Sequence, residues 1–238
     1  MMTTPRDSDY EVLGEEYYTD AHQTSANLRA GSSAILSRWI PDAAKQAGTV
    51  LDIGAGDSVV APFLASGPER GQTLLIADRA GSMLAHSRTW RPVGAQLLQC
   101  DATRLPLSSG SIGLVVSSLG DPYNVVEFWR EVARVLQRGG SVMFTAPSPE
   151  WAYEYRRAML QDVQVAEFLC RRGVVRVPSH VRTREEQLNM ALDAGLSIRE
   201  VTCFMLRELG AVRVSEKLSS VISPNTPIVD AYWWMRSD

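Results

Sequence analysis

Three aspartates carry the chemistry most plainly written in this chain. Asp52 stands in Val50-Leu51-Asp52-Ile53-Gly54-Ala55-Gly56-Asp57-Ser58, an apolar run that ends in an acid and breaks into a glycine turn. Gly54 and Gly56 permit positive φ and let the backbone approach a ligand where a β-carbon would collide. A helix expected over residues 58–65 would aim its first amides into the same crevice. Asp78 closes a second apolar run at 73–77, and Asp101 follows a third expected strand at 95–99. Ligands of open α/β sheets bind outside the carboxyl ends of the strands. An acid after the second strand can accept from both hydroxyls of a ribose. One after the third can accept from an adenine amine while the Ala102 amide reaches a ring nitrogen. The simpler alternative, that each aspartate merely caps a turn, has to hold three times over.

Such acids need a sheet to hold them. After Pro41, apolar runs and helical spacings alternate, the pattern of parallel strands covered on both faces. Strands are expected at 49–53, 73–77, 95–99, 112–117 and 141–145, and helices at 58–65, 81–91 and 125–136. The last of these puts Val125, Phe128, Val132, Val135 and Leu136 on one face, and Arg138-Gly139-Gly140 stops it. Thr183 and Glu186 form a capping box for a helix over 183–194, ended by Gly195. Final strands are expected at 198–206 and 228–235. Upstream, residues 13–39 carry Leu28, Ile35, Leu36 and Trp39 at helical spacing, which reads as one or two helices with a break at Gly31 and Ser32. Residues 1–10 are polar and expected to fray. Residues 147–181 interrupt the alternation and read as an inserted helical lid, opened by Trp151, Tyr153 and Tyr155.

Composition narrows the partners. The chain has 238 residues, 45% of them hydrophobic, and a net charge of −3. That balance argues against an extended nucleic-acid surface. Cys100, Cys170 and Cys203 are few and set in apolar surroundings, which suits thiols in a reducing compartment. No apolar run approaches the length of a membrane span, and the acid-rich start does not resemble a signal peptide. The spacing of His, Asp and Glu shows no metal-ligand pattern, so no metal is expected. These features predict a cytoplasmic protein with a small-molecule substrate, no nucleic-acid and no membrane partner. A homodimer is compatible with them.

The motifs taken together resemble a known family. Leu51–Gly56, Ile76-Ala77-Asp78, the stretch Gln99-Cys100-Asp101-Ala102-Thr103-Arg104-Leu105-Pro106, Gly113–Ser118 and Leu136–Gly140 are similar to motifs of the class I S-adenosylmethionine-dependent methyltransferases. The likeness covers about residues 49–147 and resumes loosely at Gly195-Leu196. A dinucleotide-binding fingerprint would need a third small residue where Val59 stands.

The resemblance implies an α/β fold with a Rossmann-like, doubly wound, mostly parallel seven-stranded sheet. It would divide into N-terminal cap helices (1–40), an S-adenosylmethionine-binding core (41–146), the helical lid (147–181) and a C-terminal helix with the last strands (182–238). It also implies S-adenosylmethionine as cofactor. Gly54 and Gly56 would lie against its methionine part, with Asp52 orienting the amino group. Asp78 would hold the ribose, Met83 would pack on adenine, and Asp101 and Ala102 would read the adenine edge. Ser117 and Ser118 fall where methyl group and acceptor meet, and Tyr17, Tyr18 and Arg29 are candidates to close the methionine end.

Catalytic candidates are Asp121 and Tyr123, in Gly120-Asp121-Pro122-Tyr123, and His180. The tetrapeptide is similar to the Asp-Pro-Pro-Tyr signature of amino methyltransferases but lacks its second proline. The function expected is methyl transfer to a small-molecule metabolite. Rival readings are attack within the cofactor's own side chain, releasing methylthioadenosine, a binding module without catalysis, and an NAD(P)-dependent oxidoreductase.

Overall fold

The computed structural model describes residues 9–66, 72–220 and 223–237, so the expectation for residues 1–8 lies outside the described residues. In chain order the elements are α1 (Asp9–Leu13), α2 (Gln23–Ala44), β1 (Thr49–Ile53), α3 (Ala61–Ser66), β2 (Thr73–Asp78), α4 (Gly81–Leu84) and β3 (Gln96–Gln99). Then come β4 (Ile112–Ser117), α5 (Val126–Val135), β5 (Leu136–Pro147), α6 (Pro149–Ala158), β6 (Val165–Cys170) and β7 (Gly173–Pro178). The chain closes with α7 (Arg184–Asp193), β8 (Leu196–Met205), α8 (Glu216–Ser219) and β9 (Pro227–Arg236).

Among the described residues seven strands form one sheet in the order β3-β2-β1-β4-β5-β9-β8, with parallel pairing from β3 to β5 and β9 antiparallel to both β5 and β8. The expected fold class is therefore the one observed. Alternation along the strands sends successive side chains to opposite layers. Val50, Leu114, Val116 and Met143 pack with Ile35, Leu36, Trp39 and Ile40 of α2. Leu51, Ile53, Val115 and Phe144 pack with Phe128, Trp129, Val132 and Val135 of α5. Burial on both faces is why these strands read as unbroken apolar runs. The strand order reverses between β1 and β4, and the crevice left at their carboxyl ends is where this class of sheet binds ligands.

Local expectations fail where packing or capping overrides a residue's habit. The break expected at Gly31 does not occur: α2 runs through it and through Pro41 to Ala44. A β-carbon at Gly31 would stand 2.8 Å from the Phe204 ring, so the glycine lets helix and strand approach closely. The helix expected from Ser58 starts at Ala61, because the Ser58 hydroxyl accepts the Val60 and Ala61 amides and so caps rather than begins it. The helix expected over 81–91 is α4 followed by a 3-10 stretch to Val93. Arg138-Gly139-Gly140 belongs to β5, where Gly139 at φ +70° and a register shift between Ile112 and Leu114 make a bulge. The lid is only half helical. After α6 it forms a β6–β7 hairpin with Arg171 and Arg172 at the turn. Val175 and Val177 alternate along β7, a strand signal masked by the surrounding arginines.

The capping box stands as expected. The Thr183 hydroxyl accepts the Glu186 amide, and the Glu186 carboxylate accepts the Thr183 amide at 2.8 Å. Thr183→Ala should cost about 1 kcal/mol and lower the melting temperature by about 2–4 °C. Calorimetry of the variant checks this.

Candidate functional site

A cavity of about 570 Å³ opens at the carboxyl ends of β1 to β4, under the N-terminal cap and β7. The glycine turn forms its floor. Gly54 and Gly56 adopt φ of +61° and +50°. A β-carbon at Gly54 would come within 2.2 Å of the Tyr123 hydroxyl, and one at Gly56 within 2.2 Å of the Tyr18 hydroxyl. Tyr18 accepts the Asp57 amide at 2.7 Å, which pins the cap to the turn. The cap has a second anchor at α4, where the Glu11 carboxylate accepts the Gly81 amide and, at 3.0 Å, the Ser82 amide.

Asp78, at the end of β2, lies on the cavity wall. It accepts the Gly56 amide at 3.0 Å and the Ala80 amide at 2.9 Å. Each carboxylate oxygen has a second lone pair, so both can still receive a ligand hydroxyl. Burial pushes the Asp78 carboxyl up to about 6 against the pull of those amides. Asp101 uses Oδ1 for the Thr103 amide and hydroxyl, while Oδ2 lies 3.7 Å from Arg79. Partial burial works against its ionisation, but the Thr103 hydrogen bonds and the Arg79 charge hold its carboxyl below the ordinary value. Met83 and Ala102 complete that end of the cavity. Opposite them, the Arg29 guanidinium sits 4.8 Å from the Tyr17 ring centroid and 4.6 Å from that of Tyr18. Ser33 and Ser37 follow Arg29 at four-residue intervals on the cavity face of α2.

Of the residues singled out in the sequence, Tyr18, Arg29, Gly54 and Asp78 line this cavity. So do Met83, Asp101, Ala102 and Tyr123. Five others stand behind the wall. Asp52 is fully enclosed under the turn, where Oδ2 accepts the Ser58 hydroxyl at 2.6 Å. Burial pushes its carboxyl up to about 7. It shapes the turn instead of facing a ligand amine. Gly56 is covered by Tyr18 and Met83, and its carbonyl accepts the Ser87 hydroxyl at 2.7 Å. Ser117 points inward to the Tyr123 hydroxyl at 2.9 Å, and Ser118 lines the cavity.

The two expected bases also turn away. Asp121 accepts the Ser179 hydroxyl, and Ser179 in turn accepts from Arg156 at 2.7 Å, so Asp121 ties the β4 loop to the lid. Burial pushes the Asp121 carboxyl up to about 6. The His180 ring meets the Gln164 side chain at 3.0 Å, off the cavity. Burial and the Arg182 charge lower its pKa. Tyr123 does face the cavity, but its hydroxyl donates to the Ile53 carbonyl at 2.8 Å, and burial raises its pKa far above the ordinary value. It is a wall and a hydrogen-bonding post, not a base. Trp151 and Tyr155 stack on each other at 5.9 Å and lie off the cavity, whereas Val177 and Pro178 of β7 do line it.

Sequence reading passed over several lining residues. Ser33 and Ser37 were legible as a polar i, i+4 row continuing from Arg29. Leu119 was not: it adopts φ +55° at the end of β4, its amide held by the Thr145 hydroxyl at 2.9 Å. A branched residue forced into that region stores strain of about 1–3 kcal/mol, a habit of functional sites.

Comparison with known proteins narrows the readings this geometry allows. The family model for the methyltransferase domain matches residues 51–144. Residues 51–144 thus match a methyltransferase domain, on the fold shared with S-adenosylmethionine-dependent methyltransferases. Its cofactor is S-adenosylmethionine, and the dinucleotide reading is set aside. A crystal structure of an S-adenosylmethionine-dependent methyltransferase from Mesorhizobium loti is similar at TM-score 0.58 and 22% identity, over 79% of this chain and 90% of that one. Geranyl diphosphate C-methyltransferase from Streptomyces coelicolor is similar at TM-score 0.62 and 13% identity, over 98% of this chain and 82% of that one. A biotin biosynthesis bifunctional protein from Cellvibrio japonicus is 30% identical over 142 residues, which is 59% of this chain. The match spans only 28% of that relative's length.

The buried carboxyls give the protein alone a pH signature. Asp52, Asp78 and Asp121 bind protons more tightly when folded than when unfolded, so between pH 4 and 7 the native state holds the extra protons. With Asp230 these carboxyls lower stability as pH rises through that window, while His22 and His180, whose pKa values burial lowers, act in the opposite sense. The ligand-free protein should melt several degrees higher at pH 5.5 than at pH 8, and Asp52→Asn should flatten the difference. Differential scanning calorimetry across pH tests this, and a midpoint that rises with pH would contradict it.

Proposed function

We propose that the protein transfers the methyl group of S-adenosylmethionine to a small, mainly apolar metabolite held in the cavity. The observation that carries this is the enclosure. Tyr17 and Tyr18 of the cap and Val177 and Pro178 of the hairpin cover the strand ends, leaving about 570 Å³. That is a volume typical of small-molecule sites and ill suited to a polymer. The geranyl diphosphate C-methyltransferase, solved with Mg2+, geranyl-S-thiolodiphosphate and S-adenosyl-L-homocysteine, has a similar fold and supports a small-molecule acceptor.

When bound, the cofactor supplies an electrophilic methyl carbon on a sulfonium. On this reading Asp78 accepts the ribose hydroxyls and Asp101 the adenine amine, while the Ala102 amide donates to a ring nitrogen and Met83 packs on the base. Gly54 gives the methionine portion room, and Arg29 takes its carboxylate, a task that suits a guanidinium. The cap and hairpin exclude water and hold the acceptor in line. Since Asp121, Tyr123 and His180 are spent on internal hydrogen bonds, the acceptor atom must be nucleophilic without a base from these three. The same shortage favours a second reading in which the cofactor's own amino group is the nucleophile.

Incubation with S-adenosylmethionine, alone and with cell extract, separates the two by mass spectrometry. S-adenosylhomocysteine formed only with extract supports methyl transfer. Methylthioadenosine formed without acceptor supports the second reading.

The role of Asp78 predicts a pH dependence of binding. Its carboxyl, pushed up to about 6 by burial, must be ionised to accept two hydroxyls. Affinity for S-adenosylmethionine should be level from pH 7 to 8 and weaken about tenfold per unit well below pH 6. Calorimetry at stepped pH measures it, and a flat profile down to pH 5 would remove Asp78 from the ribose.

A further inference from the structure

Three side chains that play no part in the proposed methyl transfer meet where the N-terminal cap touches the covering hairpin. Glu16 follows α1, His22 ends the 3-10 turn of Asp20–His22, and Cys170 ends β6. One ligand atom from each lies within 4.8 Å of the other two. His22 is only 6% exposed, and its Nε2 has no hydrogen-bond partner among the described residues. A buried polar nitrogen left so calls for an explanation. Its ring is fixed edge-on to Phe168, with centroids 5.6 Å apart. Cys170 is as deeply buried as His22. One Glu16 oxygen accepts the Arg171 amide at 3.1 Å, which fixes the carboxylate beside the hairpin turn.

A thiolate, an imidazole and a carboxylate are the donor set of a borderline-soft divalent ion with one position left for water. We propose that Glu16, His22 and Cys170 bind a zinc-class ion that fastens the hairpin to the cap beside the cavity. Ligand bonds of about 2.0–2.3 Å bring the donors closer together than they now stand, a change that side-chain rotation can supply. Binding releases the Cys170 proton, and the site of one dication, one thiolate and one carboxylate is neutral. That neutrality matters because Lys217 and Arg29 also act on His22 and would oppose a net positive centre. The unpartnered Nε2 of the buried His22 ring is available to the ion. Linear spacing could not reveal the group, since Cys170 comes from the far side of the sheet's core in sequence.

The site is testable without any turnover. The full chain, purified without metal, is titrated with cobalt(II) and then zinc(II). The expected result is one cobalt per chain with a near-ultraviolet thiolate-to-cobalt absorption, displaced by zinc. Cys170→Ser should abolish that band, and His22→Ala should weaken affinity about 100-fold or more. Circular dichroism and S-adenosylmethionine binding report that each variant is folded. Substoichiometric cobalt without a thiolate band in the parent chain would overturn the proposal. So would unchanged affinity in both folded variants, which would place any metal at Cys100 or Cys203, or elsewhere.

Discussion

Where the chain leaves β1, at Gly54 and Gly56, two phenol hydroxyls fill the space that β-carbons would claim. Tyr123 comes from the loop after β4 and Tyr18 from the cap, so this one turn gathers three distant segments. The turn is itself held from below by Asp52 through Ser58, and from the side by Asp78 through the Gly56 amide. Substituting either glycine would displace a phenol and, with it, a wall of the cavity. The backbone conformation at two residues thus sets how closely cap, turn and fourth strand can approach.

The polar groups around the cavity fall into two shells with different duties. Asp78, Asp101 and Arg29 reach the cavity and have bonding capacity left over. Asp52, Ser117, Asp121 and His180 are consumed by Ser58, Tyr123, Ser179 and Gln164. The inner shell buries carboxyls at a cost, visible as raised proton affinity, and in exchange fixes the loops that carry the outer shell. A carboxylate in such a place rigidifies its neighbours more than it stabilises the fold.

Much of this was legible in the sequence, for identifiable reasons. Strand ends announce themselves because a doubly buried strand is apolar until it meets the crevice, so Asp78 stood out at the end of Thr73–Asp78, whereas Asp101 follows the half-exposed edge strand Gln96–Gln99 and was legible from the motif around it. The α7 capping box was legible because both its hydrogen bonds are local. What sequence could not give was direction. Ser117 and Ser118 are adjacent, and pleating sends one inward and the other to the cavity. Asp121 looked catalytic by position, but its partner Ser179 lies 58 residues away. The hairpin was missed because its arginines and aromatics drew attention from the alternation of Val175 and Val177. Gly31 misled by the opposite route: a helix breaker by propensity, it is a contact point in the packed molecule.

The hydrogen bond from the Asp57 amide to Tyr18 has a consequence for traffic through the site. An amide proton serves one acceptor well at a time, so any anionic ligand group that takes the Asp57 N–H evicts the phenol. Occupancy of the turn and closure of the cap at that point are therefore competitors for one donor. The exchange swaps a neutral acceptor for a charged one, which holds the amide more strongly. The cap keeps its other anchors, the Glu11 carboxylate astride the Gly81 and Ser82 amides, the Ser82 hydroxyl on the Tyr10 carbonyl and the His86 ring on the Gly14 carbonyl. The phenol bond is thus a contact of the cap that shares its donor with the ligand-binding turn.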